Sequence, residues 1–153
     1  KVEDKGVEDN GSDWVTLFGK KVLITSQTKI RVKLGFASIG VGDGMKVRGF
    51  VNQDNATITA TRIDDPRPAG PEKQVLQGPV DSFDRNARKL VIIGITVDAS
   101  GVAEGNFKSD DDQTIGSNQF FGILENATGI VVVKARGVFD GTMTITADTV
   151  EIE

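Results

Sequence analysis

The chain has no cysteine, no histidine and no tyrosine, and it contains a single tryptophan. Without cysteine or histidine it lacks disulfides, soft-metal ligands, thiol nucleophiles and the histidine general bases of catalytic triads. No apolar run approaches the roughly 20 residues that a membrane-spanning helix needs. These absences remove most familiar enzyme mechanisms, and we expect no catalytic activity, no cofactor and no membrane span.

Charge is unevenly distributed along the chain, whose formal net charge is −4. Residues 1–65 hold ten Lys or Arg against nine Asp or Glu, whereas residues 66–153 hold eight against thirteen. Residues 14–42 carry five basic residues and no acidic one. The first half of the chain therefore contains the basic stretch, and the second half is acidic.

The chain repeats four short sequence boxes in the same order. The first copy contains residues 5–7, 19–22, 47–51 and 58–63, and the second contains residues 77–80, 94–97, 135–139 and 145–150. Such repetition indicates two related structural units.

The spacing of the boxes defines the predicted domains. Three of the four prolines lie within residues 66–71, which predicts an extended, semi-rigid linker. Gly94 and Gly137 are 43 residues apart, against 30 for Gly19 and Gly49, and this excess predicts a loop insertion. We therefore predict a first domain at residues 1–65, a linker at 66–73, and a second domain at 74–153 with an inserted loop at 99–119.

Period-2 alternation with many β-branched residues dominates both copies and indicates half-buried strands. In the second copy, spaced apolar residues after a capping residue predict a short helix at residues 117–124. The resulting order β-β-β-helix-β-β is typical of a small five-stranded Greek-key barrel of the oligonucleotide/oligosaccharide-binding type. We predict an all-β chain with two such barrels in tandem, each with at most one short helix.

The boxes resemble the bacterial family called domain of unknown function 5666. The resemblance rests on a Gly-x-Val opening, a Gly-x-x-Val hairpin, a Leu-x-x-Gly-x-x-Val-x-Val-x-Gly strand and a closing Ala-x-x-Ile. In the first copy Ile39 replaces the Leu of the third box, and in the second copy Leu124 begins it. The resemblance implies small barrel-like domains, often repeated, in exported bacterial proteins, and it carries over no catalytic residue.

One candidate binding site lies in the basic stretch. Lys29, Arg31 and Lys33 alternate with apolar residues that we expect in the core, among them Ile30. The second and third strands of this barrel type form its usual ligand face, where cations combine with stacking aromatic residues. With Trp14 in the neighbouring hairpin, these cations predict a site for an anionic polymer. The competing interpretation is a solvated face, or an edge on which lysine prevents association.

A second candidate site is the acidic run in the predicted insertion. Asp110, Asp112 and Thr114 fall at positions 1, 3 and 5 of a calcium-loop template. That template requires Gly and Glu where Ile115 and Phe121 stand. The competing interpretation is a plain solvated loop.

Two Asn-Ala-Thr sequons begin at Asn55 and Asn126. They would carry sugar only in a host that glycosylates exported proteins. A role in a hairpin turn explains Asn55 without modification.

Nearly all recognisable patterns in the sequence specify turns, strand alternation and hydrophobic faces rather than a chemical site. We therefore predict a non-catalytic, exported structural or adhesive module, acting as a subunit of an extracellular polymer or as a partner in a permanent protein complex. Residues 1–8 and 150–153 are the segments expected to pair with a neighbouring sheet edge. The alternative is a binding module for an anionic polymer, either single-stranded nucleic acid or acidic polysaccharide, through the basic face of the first domain.

The expected location is outside the cytoplasm, either periplasmic, on the cell surface or secreted. The chain starts with Lys1 rather than Met, which is typical of either a trimmed piece of a longer chain or a processed mature form. The absence of cysteine is compatible with either redox environment, so the location depends on the family resemblance.

Overall fold

A computed structural model describes residues 1–33, 35–52, 56–64 and 73–153 of the chain. The chain divides into two compact units, Lys1–Pro71 and Glu72–Glu153. Within the described ranges it forms twelve strands and one α-helix. The predicted all-β class is confirmed.

The first unit contains six short strands. They are β1 (Asp4–Val7), β2 (Asp13–Leu17), β3 (Lys20–Ile24), β4 (Lys29–Arg31), β5 (Lys46–Val51) and β6 (Thr57–Asp64). Successive side chains of a strand point to opposite faces of the sheet. Val15 and Val22 are therefore buried on the core face, while their neighbours Trp14 and Leu23 lie on the other face. A short 3-10 helix spans Phe36–Ser38 between β4 and β5.

The strand β6 organises the first unit. It pairs antiparallel with β5 along one side. Along its other side it pairs in parallel with β3 and then with β4. The meander β1-β2-β3 completes the sheet.

The second unit forms a closed five-stranded barrel. Its elements are β7 (Gln74–Asp84), β8 (Lys89–Ile92), β9 (Ile95–Asp98), β10 (Phe107–Lys108), α1 (Gly116–Asn126), β11 (Val132–Phe139) and β12 (Thr144–Ile152). The pairing runs β7-β8-β9-β12-β11 and returns to β7, and the short β10 pairs with the end of β12. The predicted helix is confirmed for this unit, and the predicted order β-β-β-helix-β-β holds except that the two-residue strand β10 precedes the helix.

Both units use the same tight hairpin between their second and third strands. In the first unit Phe18 and Gly19 have φ of 53° and 68°, and in the second unit Ile93 and Gly94 have φ of 55° and 69°. Positive φ at both central residues is the requirement of a two-residue turn whose twist matches that of the strands.

Both units also have a β-bulge at the same Arg-Gly pair. The register shifts between Arg48 and Gly49 in β5, and between Arg136 and Gly137 in β11. A Cβ atom on either glycine would collide with a backbone carbonyl of the neighbouring strand. Glycine is therefore required at this crossing, and the shared bulge supports the internal repeat.

The first pair of sequence boxes, around Gly6 and Gly78, does not correspond in the structure. Gly6 pairs with β2, whereas Gly78 pairs with β11. The predicted equivalence is wrong because β7 has 11 residues and continues beyond Gly78 before it reaches β8. Glu3 and Asp81 are counterparts instead, since each carboxylate accepts a 2.8 Å hydrogen bond from the glycine N–H of its hairpin turn.

The extra residues of the second unit lie largely in α1. The strands β4 and β10 are counterparts, because each pairs in parallel with the end of its unit's last strand. From Ile30 to Gly49 the chain advances 19 residues, whereas from Phe107 to Gly137 it advances 30. The difference equals the 11 residues of the helix.

The helix covers one end of the second core. Phe107 is fully buried, and its ring lies 5.5 Å from that of Phe120 and 6.4 Å from that of Phe121. Ile30 at the equivalent position of the first unit is 41% exposed, so its predicted core position is wrong. Its unit has no helix over that position in the described residues.

Some predicted features lie outside the described residues. They are Leu34, residues 53–55 with the Asn55 sequon, and residues 65–72, which include most of the predicted linker. In the part of the chain that is described, no helix is long and apolar enough to cross a membrane.

Candidate functional site

A row of basic residues crosses three strands of the first unit. Arg62 in β6 lies opposite Lys29 in β4 on one side and opposite Arg48 in β5 on the other. Residues directly opposite one another in a ladder project from the same face of the sheet. Three cations therefore lie side by side.

The next row on that face adds two more cations and one carboxylate. Asp64 in β6 lies opposite Arg31 in β4 and Lys46 in β5. Because each of these residues is two positions from its neighbour in the first row, both rows share one face. We call this surface the basic face; it consists of Lys29, Arg31, Lys46, Arg48 and Arg62 around Asp64.

The basic face points away from the core. Ile63, which lies between Arg62 and Asp64 in sequence, is fully buried, and Val47 packs against the same core. The cations therefore project outward, and all three residues of β4 are exposed. They are accessible to a large ligand.

Asp64 is held by the cations around it. Arg62 Nε donates a 2.7 Å hydrogen bond to Asp64 Oδ1, and this bond lowers the pKa of that carboxyl. The nearby charges of Arg62, Arg31 and Arg48 lower the pKa of Asp64 further. Three guanidinium groups therefore act on the same carboxylate.

Most of the positive charge is not neutralised by the described residues. Arg62 forms an ion pair with Asp64, but Lys29, Arg31 and Arg48 form none with any described residue. Five cations and one carboxylate leave a strongly positive surface on a chain whose net charge is negative.

An exposed aromatic residue adjoins the basic face. Phe50 follows Arg48 by two residues in β5, lies opposite Thr59, and is 57% exposed. Two residues further along the chain, the side chain of Asn52 is held by two threonine hydroxyl groups. Its amide nitrogen donates a 2.8 Å hydrogen bond to Thr57 Oγ1, and its amide oxygen accepts a 2.9 Å hydrogen bond from Thr59 Oγ1. The surface therefore combines cations with an available aromatic ring.

The structure places the predicted binding residues in three locations. Lys29 and Arg31 belong to the basic face, whereas Lys33 is exposed in the turn after β4. Trp14 lies on β2, which β3 separates from β6. Lys21 Nζ, rather than a cation of β4, lies 4.7 Å from the Trp14 ring.

Sequence reasoning missed Lys46, Arg48, Phe50 and Arg62. The alternation Lys-x-Arg-x-Phe in residues 46–50 was a usable signal, because those three side chains must share one face of a strand. Arg62 had no comparable signal. Its place between the two flanking strands depends on the bulge and on the pairing of β4 with β6.

The acidic run of the second unit makes local contacts within its loop. Within the described ranges, no group of three or more His, Cys, Asp or Glu residues is placed to hold a metal ion. Thr114 Oγ1 is 3.2 Å from the ammonium group of Lys108, which also lies 3.5 Å from the carbonyl of Asp112. Ser109 hydrogen-bonds the carboxylate of Asp111 rather than leaving it for a ligand.

The second sequon lies at the end of α1. The side-chain amide of Asn126 donates a 2.7 Å hydrogen bond to the carbonyl of Gly122. This bond gives Asn126 a structural role at the helix terminus.

Comparison with known proteins relates the first unit to one family. The family model described as "Domain of unknown function (DUF5666)" matches residues 6–64, which contain the basic face and every strand of the first unit from Gly6 onward. The match supports the resemblance for this one unit. No curated protein and no solved structure matches the chain.

Proposed function

We propose that the protein is a non-catalytic binding module located outside the cytoplasm, and that its first unit holds an anionic polymer on the basic face. The observation that carries this proposal is the outward cluster of five cations around Asp64. Cations that contact a polyanion release its condensed counterions, and this release drives binding.

The three arginines of the basic face favour a polymer with planar or tetrahedral oxyanions. Arginine presents a rigid fork of donors that suits phosphate, sulfate and carboxylate groups. Lys29 and Arg48 lie on either side of Arg62, and Arg31 lies in the next row opposite Asp64, so successive anionic groups could bind across the strands. This arrangement suits a repeating ligand better than a single small anion.

Phe50 favours single-stranded nucleic acid among the anionic polymers. Proteins that bind single strands combine a positive surface with aromatic side chains on which bases stack. Phe50 supplies an exposed ring next to Arg48. An acidic polysaccharide would use the cations but would gain little from this ring.

The absence of a catalytic role is part of the proposal. Two carboxylates outside the strands, those of Glu104 and Glu125, are engaged in structural contacts. Glu104 accepts hydrogen bonds from the backbone N–H and hydroxyl of Ser117 at the start of α1, and Glu125 forms an ion pair with Arg85. The partners of these groups support structural roles.

The test is a binding titration of the full chain with a fluorescent oligodeoxythymidylate, and in parallel with heparin. With five cations engaged, log K should fall with log salt with a slope of about −3.5, since each contact on single strands contributes about −0.7. Phe50→Ala should weaken oligonucleotide binding on the order of tenfold and leave heparin binding unchanged.

Val138→Ala is the matched control, because Val138 is the exposed counterpart of Phe50 in the second unit. A salt-independent interaction, or no binding to either polymer, would contradict the proposal. Heparin binding alone would assign the site to polysaccharide.

A structural or adhesive role in a filament or permanent complex is the second candidate. It is favoured by β5, which within the described residues pairs with β6 on one side and with no strand on the other. The N-terminal strand β1 is also an edge, because among the described residues it pairs with β2 alone. The C-terminal strand β12 has β11 on one side and both β9 and β10 on the other, so residues 150–153 are the weaker candidate for strand addition. Light scattering of the native chain would show an open-ended assembly if this role holds and a 16.3 kDa monomer if it does not.

A further inference from the structure

A groove opens on the outer surface of the first unit, away from the basic face. Its volume is about 360 Å³, which is at the lower end of the range of about 300–1,000 Å³ that is usual for small-molecule sites. It is lined by residues from three parts of the unit, among them Glu8, Asn10 and Ser12 from the turn between β1 and β2, Lys21 and Leu23 from β3, and Thr57 from β6. The groove and the basic face share no residue.

The turn that forms one wall of the groove is fixed by its own hydrogen bonds. The N–H of Glu8 donates to the carbonyl of Ser12 at 2.8 Å, and the N–H of Gly11 donates to the carbonyl of Glu8 at 2.8 Å. The N–H of Ser12 donates to Asn10 Oδ1 at 2.9 Å. The backbone that carries this wall is therefore ordered before a ligand arrives, which lowers the entropic cost of binding.

Lys21 contributes an ammonium group that is held from two sides. Its Nζ forms an ion pair with Glu8 and lies 4.7 Å from the centre of the Trp14 ring. That ring in turn lies against Gly6, where an added Cβ would come within 2.6 Å of it. The ammonium group is therefore positioned in advance. Because Glu8 and Lys21 are the only charged residues lining the groove, its net charge is zero.

The polar groups of the groove both donate and accept hydrogen bonds. A carboxylate has about four acceptor sites and an ammonium group three donors, so the ion pair of Glu8 with Lys21 leaves most of this capacity unused. Among the described residues, the hydroxyl of Ser12 has no hydrogen-bond partner. A charged ligand would have to displace one member of the ion pair. A neutral ligand with several adjacent hydroxyl groups suits the groove better.

Apolar surface at this position distinguishes the first unit from the second. Trp14 and Leu23 lie opposite each other, each four residues from the hairpin turn, and Lys89 and Asp98 occupy the same positions in the second unit. Lys89 and Asp98 form an ion pair at 3.6 Å. Leu23 instead gives the groove a partly buried apolar side chain beside its hydrogen-bonding groups.

We propose that this groove binds one pyranose unit of a neutral saccharide. A pyranose carries adjacent hydroxyl groups around its rim and C–H groups on its ring face. Its hydroxyl groups bind the side chains of Glu8, Lys21 and Ser12, and its C–H groups pack on Leu23. Hydrogen bonds to the two charged groups are about twice as strong as those between neutral groups. This site is independent of the polymer proposed for the basic face.

The experiment follows the fluorescence of Trp14, the single tryptophan, in the full chain. The probes are the methyl glycosides of glucose, galactose and mannose. At least one should give a saturable, salt-independent change with a dissociation constant on the order of 1 mM. In NMR spectra the same glycoside should shift the amide signals of Lys21 and Leu23 and leave those of Lys29 and Arg48 in place. Sorbitol, which has hydroxyl groups but no ring, and glycine, which is zwitterionic, are the control probes.

Two substitutions test the assigned contacts. Glu8→Gln should weaken glycoside binding on the order of tenfold, because it removes a charged hydrogen-bond acceptor. Ser12→Ala should weaken it a few-fold. The matched control is Ser38→Ala, which removes an exposed hydroxyl outside the groove and should leave binding unchanged.

Three results would overturn the proposal. The first is the absence of a saturable response to all three glycosides. The second is an equal response to sorbitol or to glycine. The third is the same affinity for Ser12→Ala and Ser38→Ala.

Discussion

The two units share strand register on their outer faces but differ in charge balance. In the first unit Arg62 and its neighbouring cations surround a single carboxylate, Asp64. In the second unit the counterpart of Asp64 is Glu151, and Lys134 Nζ donates to Glu151 at 2.5 Å and to Glu153 at 2.7 Å. These bonds raise the pKa of Lys134, that from Glu151 most. The same pattern of strand pairing therefore carries a positive surface in the first unit, whereas in the second unit the charge of Lys134 is neutralised by its glutamate partners.

The units also differ in how their cores end. The helix α1 seals the second core over Phe107, whereas the equivalent Ile30 is partly exposed. The same position in the same ladder is therefore a core residue in one unit and a boundary residue in the other.

The largest expected effect comes from Phe107→Ala. Removing a fully buried phenylalanine leaves a cavity and should destabilise the second unit by about 3–5 kcal/mol. Its counterpart Ile30→Ala should cost less than about 1 kcal/mol, since its side chain is already partly in water. Urea denaturation can separate the units, because Trp14 fluorescence reports on the first and the NMR signals of Phe120 report on the second. Equal losses of unfolding free energy from Phe107→Ala and Ile30→Ala would contradict the claim that the residue is a core residue in the second unit and a boundary residue in the first.

The bulge glycines test what the units share. Gly49→Ala and Gly137→Ala both place a Cβ against a carbonyl oxygen, of Thr59 and Thr146 respectively. Each should destabilise its own unit by about 1–3 kcal/mol, as overpacking does. The control is Gly122→Ala, at a helical glycine with open space around it. A loss in only one unit would show that the two bulges are not equivalent.

Acid should affect the second unit through Glu104. Its hydrogen bonds with Ser117, the backbone bond first, lower its pKa from the ordinary value of 4.5. A depressed folded pKa contributes stability that is present above that ordinary value and is lost as the pH falls through the lowered one. Glu104→Gln should therefore flatten the fall in stability below about pH 4.5.

Asp98 is the comparison for this experiment, because its pKa is also lowered, chiefly by its hydrogen bond from Ser100. Asp98→Asn should remove a separate part of the acid sensitivity and leave the part that belongs to Glu104. If thermal melts of the Glu104→Gln variant keep the full pH dependence, the carboxylate does not support α1 as described.

The smallest expected effect is a gain of binding in the second unit. Replacing Glu151 and Glu153 by Gln releases Lys134 and leaves it near Arg136 and Lys108. The variant should bind oligonucleotide up to a few-fold more tightly at low salt, because each added phosphate contact contributes modestly. An unchanged affinity would mean that charge balance alone does not separate the two faces.

The sequence predicted the parts of the fold that local patterns determine. Alternation identified the strands, and apolar spacing identified α1. The equivalence of Gly6 and Gly78 failed because a three-residue motif does not specify which neighbouring strand it pairs with.

The candidate site was predicted only in part for the same reason. Lys29 and Arg31 were visible as an alternating basic run, but that run forms a separate short strand beside β6 rather than part of the hairpin that holds Trp14. Arg62 joins them through long-range pairing and a bulge that local sequence patterns did not reveal. Trp14 is instead covered by Lys21, which forms an ion pair with Glu8.

The most direct test of the account is a comparison of Arg48→Gln with Arg136→Gln in oligonucleotide titrations at several salt concentrations. The two arginines occupy the same position before the bulge of their strands, and both are exposed. Arg48→Gln should weaken binding and make the salt slope less steep by about 0.7, whereas Arg136→Gln should change neither. Equal effects of the two substitutions, or none from Arg48→Gln, would contradict the claim that the first unit carries the binding face.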